Sequence, residues 1–470
     1  MKLILVAAVT LAVWGSTIAR AADPGVQTID FASLVDCSGS GFVSLDRLAR
    51  NAVAENSAVA QAAIRQLRGR GPDGLRALLT AHNATLKQHE TNRNSSISKP
   101  DEEWLRLKAA LDGVSAQRDC FASRLFWFTD FEQAKVAAKA GAKPILSLRL
   151  LGKLDEEFSC ANSRFFRTTL YANADVAKYL GDHFILHWKS VRPVPKVTID
   201  FGDGRKLERT LTGNSIHYVL DADGRVIDAL PGLYGAKPFL RGLGRAEEIV
   251  RHVSALAGKS RELALREYHR TRLTALNNEY AADLLRVAAV TASPIQRISI
   301  APLLSSSPPP TAQIAGSLAV GKVRVEMPIL RRTADGAEND DATWQRIGDL
   351  HSDWARLDES SRALIREKNP AALTAARITT GKFVVESPVI RQIRNLERSI
   401  SEDTARNEYL FHSKIHDWLA SGTAPQEVDR LNVKVYAELF LTPDSDPWLG
   451  LRADDAFAAL ENDGIVLNKH

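Results

Sequence analysis

The chain holds three cysteines, Cys37, Cys120 and Cys160, and a thiolate is the most reactive group its side chains offer. Such a group attacks disulfides or binds a soft metal, so the first matter is which thiol is left to do so. Asp36-Cys37-Ser38 and Asp119-Cys120-Phe121 are similar settings, and an oxidising compartment tends to pair two cysteines of three. A structural disulfide Cys37–Cys120 is therefore expected, with the other two pairings left open. Cys160 then remains, ahead of Phe165, Phe166 and Leu170 on one helical face. A thiol at such a helix start is favoured as thiolate by the unpaired amide N–H groups, while Asp155, Glu156 and Glu157 favour the neutral form. The competing readings are a small buried residue capping the helix, or a thiolate that captures metal with His187 or His217.

A second set is Glu408, His412 and His416. Spacing of four places all three on one helical stripe, and a histidine pair at i, i+4 is a metal-binding geometry. The glutamate of His-Glu-x-x-His is absent and no further ligand is evident nearby. The stripe is read as a solvated polar face opposite Leu410, Ile415 and Trp418, and neither a metal nor another cofactor is expected. Asp444-Ser445-Asp446-Pro447-Trp448 is read as a turn, and Trp344, Trp354, Trp418 and Trp448 as core. The chain lacks Cys-x-x-Cys-His, a Gly-rich phosphate loop and a Gly-x-Ser-x-Gly elbow, which argues against covalent haem, phosphate-loop and nucleophile-elbow chemistry.

The elements that would hold these residues follow from the pattern along the chain. Lys2, the apolar run Leu3–Val13 and Ala19-Arg20-Ala21 have the three parts of a secretory signal, so residues 1–21 are expected to be cleaved before Ala22 and the mature chain to be periplasmic or secreted. Loss of Lys2 and Arg20 would bring the formal charge from +5 to +3, too little for a polyanion-binding surface, and no nucleic-acid partner is expected. No later run is long and apolar enough to span a membrane. The oligomeric state is not legible.

Residues 22–120 read as a helical N-terminal region, 121–257 as an α/β layer, 258–293 as a long helix and 294–314 as a Pro/Ser linker. Residues 315–470 read as a mostly helical C-terminal domain containing a repeat, 315–331 and 375–391. Within the α/β layer an amphipathic helix over Phe131–Ala140 leads to a buried strand over Pro144–Leu150, and Phe184–Trp188 is a second strand. A further strand begins at Val197–Phe201. Ser215–Leu220 pairs through the Asp223-Gly224 turn with Val226–Ala229, before a helix over Lys237–Leu256.

The run Trp127–Ala134 followed by Gly141-Ala142-Lys143-Pro144-Ile145-Leu146 resembles the entry of exported thioredoxin-like proteins. Cys160-Ala161-Asn162-Ser163 stands where that family carries Cys-x-x-Cys, and Gly213-Asn214-Ser215-Ile216 with Asp221-Ala222-Asp223-Gly224 is similar to its Gly-x-Pro-Thr strand and hairpin. The resemblance covers the central third only. It implies a thioredoxin-like mixed sheet with flanking helices, Cys160 and Ser163 as the catalytic pair, and Asn214, Ser215 and Ile216 as the substrate-contacting loop. Protein thiols or disulfides would be the partners. Ser163 in place of a resolving cysteine leaves a monothiol that can form a mixed disulfide but cannot release itself. Ser215 at the cis-proline position implies a trans peptide there. The function expected is thiol-disulfide exchange or thiol-dependent partner capture through one cysteine, and the alternative is a non-catalytic envelope scaffold or binding protein on a degenerate thioredoxin fold.

Overall fold

A computed structural model describes residues 43–92, 101–211, 213–291, 341–368 and 388–449. The expected signal sequence, Cys37, the expected 294–314 linker, the first repeat copy and most of the second lie outside the described residues.

Helices open the described chain because polar side chains cap them and leucines supply their inner face. They are α1 (Leu45–Asn51), α2 (Ser57–Gly69), α3 (Pro72–Ala81), α4 (Asn83–Asn92), α5 (Glu102–Ser115) and α6 (Cys120–Ser123). Ser44, Asn56 and Asp101 accept backbone N–H groups at the starts of α1, α2 and α5. Leu48, Leu67, Leu75 and Leu78 are buried between them. The crossing of α2 and α3 is close because of Gly74, where a Cβ would lie 1.9 Å from the Leu67 carbonyl oxygen.

The centre is α/β. After α7 (Phe131–Gly141) come β1 (Ile145–Leu151), α8 (Ala161–Phe165), α9 (Ala174–His183), β2 (Ile185–Arg192), the pair β3 (Lys196–Asp200) and β4 (Lys206–Thr210), then β5 (Ser215–Leu220), β6 (Val226–Pro231) and α10 (Ala236–Ser254). Four strands form a mixed sheet in the order β2-β1-β5-β6, with β1 and β2 parallel and the other pairs antiparallel. Leu148 sits between Trp188 and His217 in this register. Every residue of β1, β5 and β6 is buried, as strands covered on both faces require. The β3–β4 pair is a separate two-stranded sheet, so the strand expected from Val197 does not join the central one.

Both edges of the sheet are covered, which hides backbone groups that would otherwise template further pairing. Phe128 bonds along β2, its N–H to Leu186 O at 2.8 Å and its carbonyl to Trp188 N at 3.1 Å. On the far side Val226 N donates to Gln426 O at 3.1 Å, beside an Arg225–Glu427 bridge.

The chain continues through α11 (Gly258–Thr291), α12 (Asp341–Leu350), α13 (Glu359–Lys368), α14 (Pro388–Arg406), α15 (Ser413–Ser421) and α16 (Val428–Lys434). Among the described residues three π-turns occur, over Phe166–Leu170 after α8, Asn407–His412 between α14 and α15, and Val435–Leu439 after α16. The described residues from Ser44 on form one compact unit, with Phe411, Ile415, Trp418, Leu431 and Tyr436 in the same apolar core as Leu146, Ile216 and Val219. Trp344, Trp354 and Trp418 are buried as expected, whereas Trp448 is 42% exposed at a turn. No helix among the described residues is long and apolar enough to cross a membrane.

Candidate functional site

Cys160 is the N-cap residue of α8, with φ −58° and ψ 159°. Its backbone N–H donates to Leu151 O at 3.2 Å, which ties the helix start to the end of β1. The expected neighbours are there: Cys160 Sγ lies 4.0 Å from the Asn214 carbonyl oxygen. The expected access is not. Cys160, Ser163, Ser215 and Ile216 are each 0% exposed and Asn214 is 5% exposed. The space over the thiol is filled from the C-terminal helices, where Tyr436 OH donates to Asn214 O at 3.1 Å and Asn214 Nδ2 donates to Thr442 Oγ1 at 3.1 Å. Ser163 Oγ donates to the Cys160 carbonyl at 2.9 Å, so the hydroxyl serves the backbone. The peptide before Ser215 is trans, and the Ser215 hydroxyl has no hydrogen-bond partner among the described residues.

The other described cysteine is buried as well. The Cys120 thiol is free and buried, and desolvation pushes its pKa up to about 12, so it is held neutral. Cys37, its expected partner, lies outside the described residues.

The Glu408, His412, His416 stripe corrects the sequence reading more sharply. It does not face solvent: the three side chains are at most 1% exposed. Burial is tolerated because partners from distant elements meet the stripe. Asp228, the one acid of β6, accepts from His412 Nε2 at 3.1 Å, and Glu408 Oε2 faces His412 Nδ1 at 3.4 Å. Tyr268 OH, from α11, donates to Asp228 Oδ2 at 2.5 Å, and Ala229 N donates to Asp228 Oδ1 at 2.8 Å. His269 Nδ1 lies 2.9 Å from His416 Nδ1. The His412 and His416 rings stack, with centroids 4.2 Å apart. The π-turn over Asn407–His412 carries two members of the group, and such turns recur at functional sites.

Charge in this cluster is unevenly distributed. Burial works against the His412 imidazolium, but the carboxylates of Asp228 and Glu408 outweigh it and raise its pKa to about 9. Burial also opposes the Asp228 anion, yet the His412 imidazolium that donates to it holds the carboxyl well below its usual range. His416 and His269 go the other way. Burial first, and then for His416 the His412 charge, lowers both, His269 to about 4. The result is one imidazolium clamped by two carboxylates beside two neutral imidazoles. Asp228, Tyr268 and His269 escaped the sequence reading. The available signal was Asp228 itself, a lone acid inside the apolar run Val226–Leu230.

One open cleft, about 570 Å³, lies where Phe131 and Lys135 meet Asp223–Arg225 and Pro425–Arg430. Asp429 on its rim pairs with Arg149 Nη2 at 3.0 Å and Lys189 Nζ at 2.8 Å. Compared with known proteins, the chain matches no family model, no curated protein and no solved structure.

Proposed function

We propose that the chain is an exported, thioredoxin-like protein that serves as a non-catalytic scaffold, its thiol site converted into core. The chain order of a strand, a helix begun by Cys160, a parallel strand, an antiparallel hairpin and a closing helix supports the thioredoxin-like part of this reading. The observation that carries the functional part is the seal over Cys160. Thiol-disulfide exchange needs a thiolate that a partner sulphur can reach, and the Cys160 side chain is 0% exposed beneath Tyr436 and Asn214. A partner disulfide has no approach to Sγ while those contacts hold.

Alkylation with a small iodoacetamide, followed by digestion and mass spectrometry, tests this. Cys160 is expected to label only after denaturation. Fast labelling of the native chain at neutral pH would overturn the scaffold reading and restore thiol exchange, or thiol-dependent capture of protein thiols or disulfides, through Cys160. Export is tested separately by sequencing the mature N-terminus, expected at Ala22.

A further inference from the structure

We propose that Asp228, His412 and His416 form a site for a divalent first-row transition ion of the zinc class, held between β6 and the α14–α15 junction. The inference is independent of the scaffold reading, because no cysteine takes part in it.

Geometry comes first. One carboxylate oxygen of Asp228 and one ring nitrogen of each histidine lie within 4.8 Å of one another, all in buried side chains. Ligands about 2.0–2.2 Å from a tetrahedral zinc stand about 3.3 Å apart, so the triangle has to close by at most about 1.5 Å to hold the ion. Two imidazoles and a carboxylate are the donors that such ions choose over magnesium or calcium, which prefer oxygen throughout.

The outer contacts are those of a metal site as well. A ligating histidine commonly gives its second N–H to a carboxylate, and a ligating carboxylate is itself hydrogen-bonded. Glu408 stands at 3.4 Å from His412 Nδ1, and Tyr268 donates to Asp228 Oδ2 at 2.5 Å.

A second observation is an orphaned nitrogen. His416 Nδ1 lies 2.9 Å from His269 Nδ1, while His416 Nε2, in a fully buried side chain, has no hydrogen-bond partner among the described residues. A buried imidazole nitrogen without a partner is a ligand atom in want of an ion.

Binding displaces the proton now held by His412 Nε2, so the charge of the site rises by one. Asp228 and Glu408 offset the ion, while Arg245, 3.4 Å from Glu408, and Arg272, which repels charge at His416, oppose it. That opposition selects for an ion that bonds nitrogen strongly rather than one held by charge alone.

The test uses the full chain, stripped with chelator and dialysed. It is titrated with Zn²⁺ by calorimetry and with Co²⁺ by visible absorption, both natively and during refolding from urea, since the site is closed in the folded state. One ion per chain is expected, with an intense tetrahedral Co²⁺ spectrum, and excess Mg²⁺ should not compete. His416→Gln should weaken binding at least about 100-fold, the upper end of what losing an outer-shell partner costs. Should that variant fail to fold, Asp228→Asn takes its place, and the wild-type Co²⁺ spectrum decides independently of any variant. No stoichiometric uptake on either route, an octahedral Co²⁺ spectrum, or undiminished binding by a folded His416→Gln would each overturn the site.

Discussion

Two buried polar sites lie against the same central sheet, and the C-terminal helices cover both. Around Cys160 the covering groups are paired with one another: Tyr436 to Asn214 O, Asn214 to Thr442, and Ser163 to the Cys160 carbonyl. At Asp228 the groups are paired only if His412 carries an extra proton, and His416 still keeps an unmatched nitrogen. Closing a pocket over a thiol removes its chemistry, because the charged form is desolvated and unreachable. Closing one over carboxylates and imidazoles strengthens their coupling, since the low dielectric raises every interaction left inside. The same covering therefore silences one site and charges the other.

The contrast breaks most readily at Asp228. Replacing it with Ala leaves the His412 imidazolium and the Tyr268 hydroxyl without their acceptor, and breaking a buried pair of this kind costs about 3–5 kcal/mol. The urea midpoint of the chain should fall accordingly, at unchanged m-value. A loss below about 1 kcal/mol would mean that no ion pair exists there.

The thiol side has a titration of its own. Burial holds the His217 ring neutral, its pKa lowered to about 3, beside Tyr171 OH at 2.6 Å. His187 in β2 is lowered to about 3 as well, by burial and then by Arg149. Below about pH 6.5 the unfolded chain binds protons that these folded rings refuse, so stability falls as pH drops from about 6.5 towards 3. Between pH 7 and pH 5 each ring accounts for about 2 kcal/mol of that fall. His217→Gln should return about that amount of the difference, read from urea midpoints at the two pH values. An unchanged difference would show that His217 is charged in the fold.

Much of the sheet was readable along the chain. Ser215–Leu220 has its expected bounds, and β1 and β6 lie within a residue or two of theirs, because apolar runs ended by Gly or Asp-Gly are local signals. The long helix expected over 258–293 spans Gly258–Thr291. What could not be read is whether a polar stripe is solvated or paired. Glu408, His412 and His416 have the period of a surface face, and only Asp228, about 180 residues earlier, and His269 on α11 make their burial affordable. The cap over Cys160 was hidden likewise, since Tyr436 meets Asn214 across a sequence separation of 222 residues. Local pattern fixes elements, and the site is built from contacts between them.

Tyr436 separates two ways in which the thiol could be sealed. If the ring itself fills the approach, Tyr436→Phe costs only the hydrogen bond to Asn214 O, about 1 kcal/mol, and Cys160 alkylation in the native chain stays slow. Tyr436→Ala would then open the approach and bring labelling up. Should the phenylalanine variant label as fast as the alanine one, the hydroxyl rather than the ring holds the lid.

The smallest effect is expected at the sulphur. As packing, Cys160 contributes one buried heavy atom beyond alanine, so Cys160→Ala should cost about 1 kcal/mol for the lost contact and the small void. Tyr436 and Thr442 keep their bonds to Asn214, which do not pass through the thiol, so the cover stays in place. Under the scaffold reading, whatever partners the wild-type chain retains in a pull-down, the variant retains as well. A partner lost from Cys160→Ala but recovered with Cys160→Ser would point to a polar contact there. A partner lost from both would require the sulphur itself, and with it an opening of the C-terminal helices that brings Cys160 into reach.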